Sequence, residues 1–210
     1  RKVFAKIKAV QPNVQMVNLA CKGETTTTYL YGGKCNYSAG SQYRQVAQFL
    51  SSHWGQVRFI SLNIGGWDVY QCISMKNQTQ DIGCVVGGIA AVGANMGIIV
   101  GGLRLGALTS RIVVNTAYDA YTLALLLGTK EGNDQASQAL TMFQTVNLSI
   151  KAAAALNGAR VADMFAAMGA GDTTPVVTPM GTFPRAVVNL CTRTHACNLA
   201  IDDVHFQDNG

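Results

Sequence analysis

Residues 82–103 read IGCVVGGIAAVGANMGIIVGGL, and where this stretch hides from water decides the architecture. Apart from the thiol of Cys84 it carries no ionisable side chain. As a helix its roughly 22 residues would extend about 33 Å, enough to cross the hydrocarbon core of a bilayer. Gly93, Gly97 and Gly101 recur at every fourth position. On a helix they form one smooth ridge, flanked by Ile98 and Ile99, on which another helix or lipid can lie closely. Each glycine costs an isolated helix about 1 kcal/mol relative to alanine. The spacing therefore predicts a tightly packed helix, buried either in a protein core or in a membrane. Asn95, near its middle, needs a polar partner in either place.

On both sides of this stretch the hydrophobic period changes. Ahead of it, the alternation of Val3, Ala5, Ile7 and Ala9 predicts a strand, as do the runs 14–19 and 25–31. Tyr43, Val46, Ala47, Leu50 and Trp54 share one helical face behind Ser41, a suitable N-cap. Residues 57–64 and 67–75 read as a hairpin turning at Gly65-Gly66. Behind it, 108–127 is mostly apolar and stops at Gly128, a good residue to end a helix. Asp134 is the expected cap of a helix reaching Leu156, which Gly158 interrupts and 161–168 continues. Pro175, Pro179 and Pro184 exclude regular helix, and 186–190 and 198–206 read as returning strands. Strands, then helices, then strands predict an α+β domain over residues 1–210, with an antiparallel sheet against central apolar helices. With 210 residues, 49% of them hydrophobic, one sizeable core is within reach.

Composition narrows the function. The net charge is +5 with only 13% charged residues, and the one basic cluster is RKVFAKIK at residues 1–8. Nucleic acid is therefore not an expected partner. Cys21, Cys35, Cys72, Cys84, Cys191 and Cys197 form no CxxC pair and no zinc-type spacing. They predict disulfides in an oxidising compartment, with the pairing left open. Asn36, Asn77 and Asn147 each begin an N-x-S/T sequon, which agrees with a secreted glycoprotein. Arg1-Lys2 reads as the start of a processed, mature chain.

No constellation of catalytic residues is legible. Ser52 and His53 are adjacent, which is not a nucleophile–base arrangement, and no GxSxG elbow occurs. The glycine-rich stretch lacks the Lys-Ser/Thr end of a phosphate loop. Asp202, Asp203 and His205 do not make a local three-ligand site, because on a strand Asp202 points away from the other two. Neither a metal nor a cofactor is expected.

Three segments, read in order, resemble the ribosome-inactivating protein family. FISLNIGGWDVYQCISMKNQTQD (59–81) looks like that family's strand bearing an active-site tyrosine, here Tyr70. LRLGALTSRIVVNTAY (103–118) is similar to its LG-x-AL helix start, and QASQALTMFQTVNLSIKAAAAL (135–156) to its long central helix. The resemblance implies an RNA N-glycosidase fold. The family's Glu, and the Arg three residues later, correspond here to Leu148 and Lys151, so the carboxylate that stabilises the transition state is missing. In layout the chain is also similar to yeast and fungal killer toxins, which are secreted and disulfide-bonded. The expectation is a secreted toxin or antagonist without a catalytic centre. It would act through 82–103 on a target-cell membrane or surface receptor. A divergent RNA N-glycosidase, or a structural envelope protein whose glycine helix packs in a homo-oligomer, are the alternatives.

Overall fold

The structure, a computed structural model, describes residues 2–74 and 79–197. In chain order the elements are α1 (Lys2–Val10), α2 (Thr26–Tyr31), α3 (Gln42–Ser52), β1 (Phe59–Asn63), α4 (Trp67–Tyr70), β2 (Ile73–Ser74), β3 (Thr79–Gln80), α5 (Ile82–Gly106), β4 (Arg111–Asn115), a 3-10 segment (Ala120–Leu127), α6 (Lys130–Leu156), β5 (Arg160–Ala162), α7 (Met164–Ala167), β6 (Pro175–Thr178), β7 (Gly181–Pro184) and α8 (Arg185–Arg193). The chain is α+β, with small sheets packed against helices. The sheet under the long helices is a correction to the antiparallel one expected: its order is β1-β4-β5, and both pairings are parallel. Parallel neighbours need long crossovers, and α5 and α6 supply them. Antiparallel pairing is confined to the two-stranded ladders β2-β3 and β6-β7.

α5 forms as its composition predicts. Asp81 caps it, its Oδ1 accepting from the Cys84 N–H at 3.0 Å. Val92, Met96, Ile99 and Val100 are fully buried and meet Phe143, Val146 and Ile150 of α6 in one contiguous core. At the far end the Arg104 guanidinium, a cation suited to a helix C-terminus, donates to the carbonyls of Asn157 (3.0 Å), Gly158 (2.8 Å) and Ser110 (2.9 Å). It thereby knots the ends of α5 and α6 together.

Several short segments differ from expectation, each for a local reason. Residues 2–10 are helical; the half-buried side chains are Phe4 and Ile7, spaced by three rather than two. The threonine run at 25–31 is a helix because Thr25 and Thr28 form a reciprocal capping box, which outweighs β-propensity. Residues 67–70 are a helical turn, not a strand, and 14–19 form no regular element. α6 is capped by Thr129, not Asp134, which instead pairs with Lys130 at 2.6 Å. Gly128 ends the 3-10 segment in the left-handed conformation (φ 63°), in agreement with its expected role. Residues 161–168 are not a continued helix but β5 followed by α7. Residues 186–190 lie in α8, where Ala186, Val187 and Leu190 present a buried helical face. The expected strand 198–206 lies outside the described residues.

Candidate functional site

β1 ends at Asn63 and leads into Ile64-Gly65-Gly66-Trp67. Gly65 sits at φ 101°, so closely covered by both long helices that a methyl group there would lie 3.3 Å from Ile150 Cδ1 and 3.6 Å from Val92. The α4 turn then sends Asp68 inward, where it is 2% exposed. Its carboxylate accepts from the Thr26 N–H at 2.8 Å and the Thr26 hydroxyl at 2.6 Å. Asn95 of α5 donates to the Thr26 and Thr27 hydroxyls at 3.2 and 3.3 Å. Burial pushes the Asp68 carboxyl above its ordinary value, with the Thr26 bonds acting against that rise. This network binds the loop ahead of α2 to the turn after β1.

The bond between those two segments brings Gly23 beside Trp67. Gly23 has φ 75°, and a methyl group on it would stand 3.4 Å from Trp67 Nε1 and 3.4 Å from Lys34 Nζ. Among the described residues no hydrogen bond occupies the Gly23 N–H or the indole N–H, and no ion pair holds Lys34. Trp67 is 38% exposed. The Trp67 indole N–H and the Lys34 ammonium thus both border the space beside Gly23, a setting that suits an oxygen anion. This space lies outside the carboxyl end of a parallel strand, where open α/β sheets commonly bind ligands. The next residue, Glu24, is buried, and both its carboxylate oxygens are without a partner.

The neighbouring strand ends are polar but occupied. After β5, Asp163 pairs with Lys151 at 2.6 Å and accepts from the Thr116 hydroxyl at 3.1 Å and the Ala166 N–H at 3.1 Å. Partial burial raises its pKa, yet Lys151 and these donors hold the carboxyl below its ordinary value. After β4, Asp119 caps the 3-10 segment through the Tyr121 N–H and the Thr122 hydroxyl. Burial pushes its carboxyl up to about 6. Tyr70 donates its phenol to the Tyr118 carbonyl and sits against Tyr121 and Phe143, and burial holds its proton well above the usual range. Tyr70 is therefore an anchor beneath the turn that carries Trp67.

Sequence reasoning placed the other residues with mixed success. All six cysteines are paired, as Cys21–Cys35, Cys72–Cys84 and Cys191–Cys197. Of the three ridge glycines only Gly97 faces open space; a methyl group on Gly93 would lie 3.8 Å from Ser149 Oγ of α6, and one on Gly101 3.1 Å from Asn157 Oδ1. The α5 glycines that admit the closest neighbours are Gly88, over the Asp68 carbonyl, Gly102, against Tyr43, and Gly106, against Leu50. Ile98 is 52% exposed, but Ile99 is fully buried and cannot touch a membrane. Asn36 is exposed. Asn147 is buried, with its amide donating to the Ala117 carbonyl and accepting from the Ala117 N–H, both at 2.8 Å, so it is not an acceptor for a glycan. Asn77 lies outside the described residues, as do Asp202, Asp203 and His205. His53 stands at the amino end of β1 and β4, the opposite end of the strands, in a pocket of about 190 Å³ with Trp54, Val57 and residues 106–110.

Gly23, Lys34 and Trp67 were not singled out in the sequence. A glycine pair directly after a β-branched strand was the available signal, since such a turn places the following side chain at a strand's carboxyl end.

No protein-family model matches the sequence, and no curated protein matches it significantly. Among solved structures, the fold is similar to that of phospholipase A1 from Streptomyces albidoflavus NA297, with a TM-score of 0.50 and 21% identity. The match covers 79% of this chain and 67% of that one. At this identity the likeness is one of fold. None of the comparisons points to a ribosome-inactivating protein or a killer toxin.

Proposed function

We propose that this chain is a secreted ester hydrolase acting on lipid substrates. The observation that carries the reading is the unoccupied Trp67 indole N–H beside Gly23, whose own N–H makes no hydrogen bond among the described residues, at the carboxyl end of β1. The fold likeness to a phospholipase A1 supports the same reading. Ester cleavage creates a negatively charged oxygen in the transition state, and donors already in place stabilise it without reorganisation. The reaction also needs a base working near neutral pH, a role for which histidine is suited. His53 is at the amino end of the strands, away from Trp67. We assign the role to His205, which the sequence sets within three residues of Asp202 and Asp203. Three disulfides with no free cysteine support an extracellular setting.

The test is hydrolysis of a short-chain phospholipid and of a soluble p-nitrophenyl ester by the purified protein. Trp67→Phe removes one donor and should lower kcat on both by about 10²-fold. His205→Ala should lower it by about 10²-fold or more. Rates unchanged in both variants would refute the assignment.

A second reading is membrane action without catalysis. It is favoured by the outer face of α5, where Val86, Ala90, Ala94 and Ile98 lie exposed between glycines with no polar side chain among them. Insertion of that face would release dye from liposomes, and Ile98→Glu would suppress the release.

A further inference from the structure

The hollow of about 190 Å³ at the amino end of β1 and β4 lies at the opposite end of the strands from Trp67, and the hydrolase reading makes no use of it. Its walls are His53, Trp54, Val57 and the turn 107–110 that follows α5. The turn is firmly held. Ser110 donates its N–H to the Ala107 carbonyl at 3.1 Å and its hydroxyl to the Val57 carbonyl at 2.7 Å. Arg104 donates to the Leu108 and Ser110 carbonyls at 3.2 and 2.9 Å. His53 is fixed as well. Its ring stacks on Phe49 with centroids 4.2 Å apart, and Nδ1 stands 2.9 Å from the Phe49 carbonyl oxygen. A carbonyl only accepts, so Nδ1 carries the proton, and in the neutral ring Nε2 offers a lone pair from the other side.

The groups left open on these walls are of two kinds. Trp54 is 60% exposed and Leu108 57%, and among the described residues no other ring pairs with the indole. Among the described residues, too, no hydrogen bond occupies His53 Nε2, the Thr109 hydroxyl, the Trp54 indole N–H or the N–H groups of Leu108 and Thr109. Acceptors and donors thus border one flat aromatic face. The imidazole is the one titratable group on the walls, and the Arg104 charge is directed at carbonyls, so the setting suits a neutral ligand. A cavity of about 150 Å³ holds a benzene molecule, so a single six-membered ring fits here and a long chain does not. An aromatic ring would leave the polar groups unpaired. A ring bearing hydroxyls answers both kinds, because each hydroxyl donates and accepts. Its C–H face covers the indole while its outer hydroxyls stay in water.

We infer that this hollow binds one pyranose ring of a neutral carbohydrate, stacked on Trp54 with a hydroxyl donating to His53 Nε2. The site stands independently of the hydrolase reading, at the other end of the sheet.

The test uses the full chain carrying Trp67→Phe, which leaves Trp54 as the only tryptophan. It is titrated with methyl β-glucopyranoside, methyl α-mannopyranoside and methyl β-N-acetylglucosaminide. At least one should give a saturable change in Trp54 fluorescence with a Kd of roughly 1 mM, as a single ring in an open hollow allows. Saturation-transfer NMR on the unsubstituted chain should show the same glycoside receiving saturation at its ring C–H protons. Trp54→Ala alters an exposed side chain and should abolish that transfer, whereas Trp54→Phe should keep it. His53→Phe keeps a ring against Phe49 but removes the acceptor, and should weaken binding about tenfold. No saturable response to any of these glycosides, transfer that survives Trp54→Ala, or tighter binding of phenol or benzoate than of every glycoside would overturn the assignment.

Discussion

Toward the sheet, α5 lies so near the α4 turn that a methyl group on Gly88 would fall 2.1 Å from the Asp68 carbonyl oxygen. Toward solvent, a methyl group on Gly87 or Gly97 of the same helix would meet nothing within 4 Å. The inner glycine is a steric requirement of the fold. The outer ones give up helix propensity without any packing gain inside the molecule. The inner face also carries Asn95, whose amide donates to the Thr26 and Thr27 hydroxyls of α2. Among the described residues the outer face between Val86 and Ile98 has no polar side chain, and Val86 and Ile98 lie exposed there. What stabilises the protein and what it presents to its surroundings are thus divided between two sides of one helix.

Substitution can break this contrast directly. Gly88→Val forces the helix off the α4 turn and should cost about 3 kcal/mol or more, seen as a large fall in the denaturant midpoint. If Gly88→Val were as stable as the parent, the close approach would be wrong.

Protonation sharpens the contrast next, because the interior beneath the inner face holds buried carboxyls, Asp68 under Gly88 and Asp119 beyond it. Asp119 is raised to about 6, and Asp68 is raised as well. In both, the native state holds a proton that the unfolded state releases first. Stability from these groups is complete below the unfolded carboxyl range, near pH 4, and is lost as pH climbs through the folded value. For Asp119 the change is on the order of 3 kcal/mol between pH 4 and about pH 7. Asp119→Asn should flatten that part of the stability profile measured by urea titration, and an unaltered slope would contradict the assignment.

Asn95→Leu comes third. It strips the Thr26 and Thr27 hydroxyls of a donor and should cost about 2 kcal/mol in the same urea titration. The smallest effect has the opposite sign. Gly97→Ala, on the open side, should raise stability by up to about 1 kcal/mol. A loss instead would mean the outer face is covered in solution.

The sequence made the strongest periodic features legible. α5, α3 behind Ser41, β1, and the stops at Gly128 and Gly158 follow from composition, caps and glycine placement. The errors fall where a local bond competes with pattern, as in the Thr25–Thr28 capping box. Others fall where a strand is concealed in a longer apolar run, as β4 is within 108–127. Parallel pairing was invisible because it depends on crossovers that bring β1, β4 and β5 together, not on any one segment. The candidate site was illegible for the same reason. Gly23 and Trp67 meet only because Thr26 and Asp68 bond across a long separation, and nothing in either short stretch announces the other.

The Cys72–Cys84 bridge ties the end of the Trp67 turn to the first turn of α5. A force applied along the exposed flank of that helix is therefore transmitted by a covalent strut to the Trp67 indole. The exposed flank and the indole share one mechanical linkage, and a reductant that cuts it would leave each to move on its own.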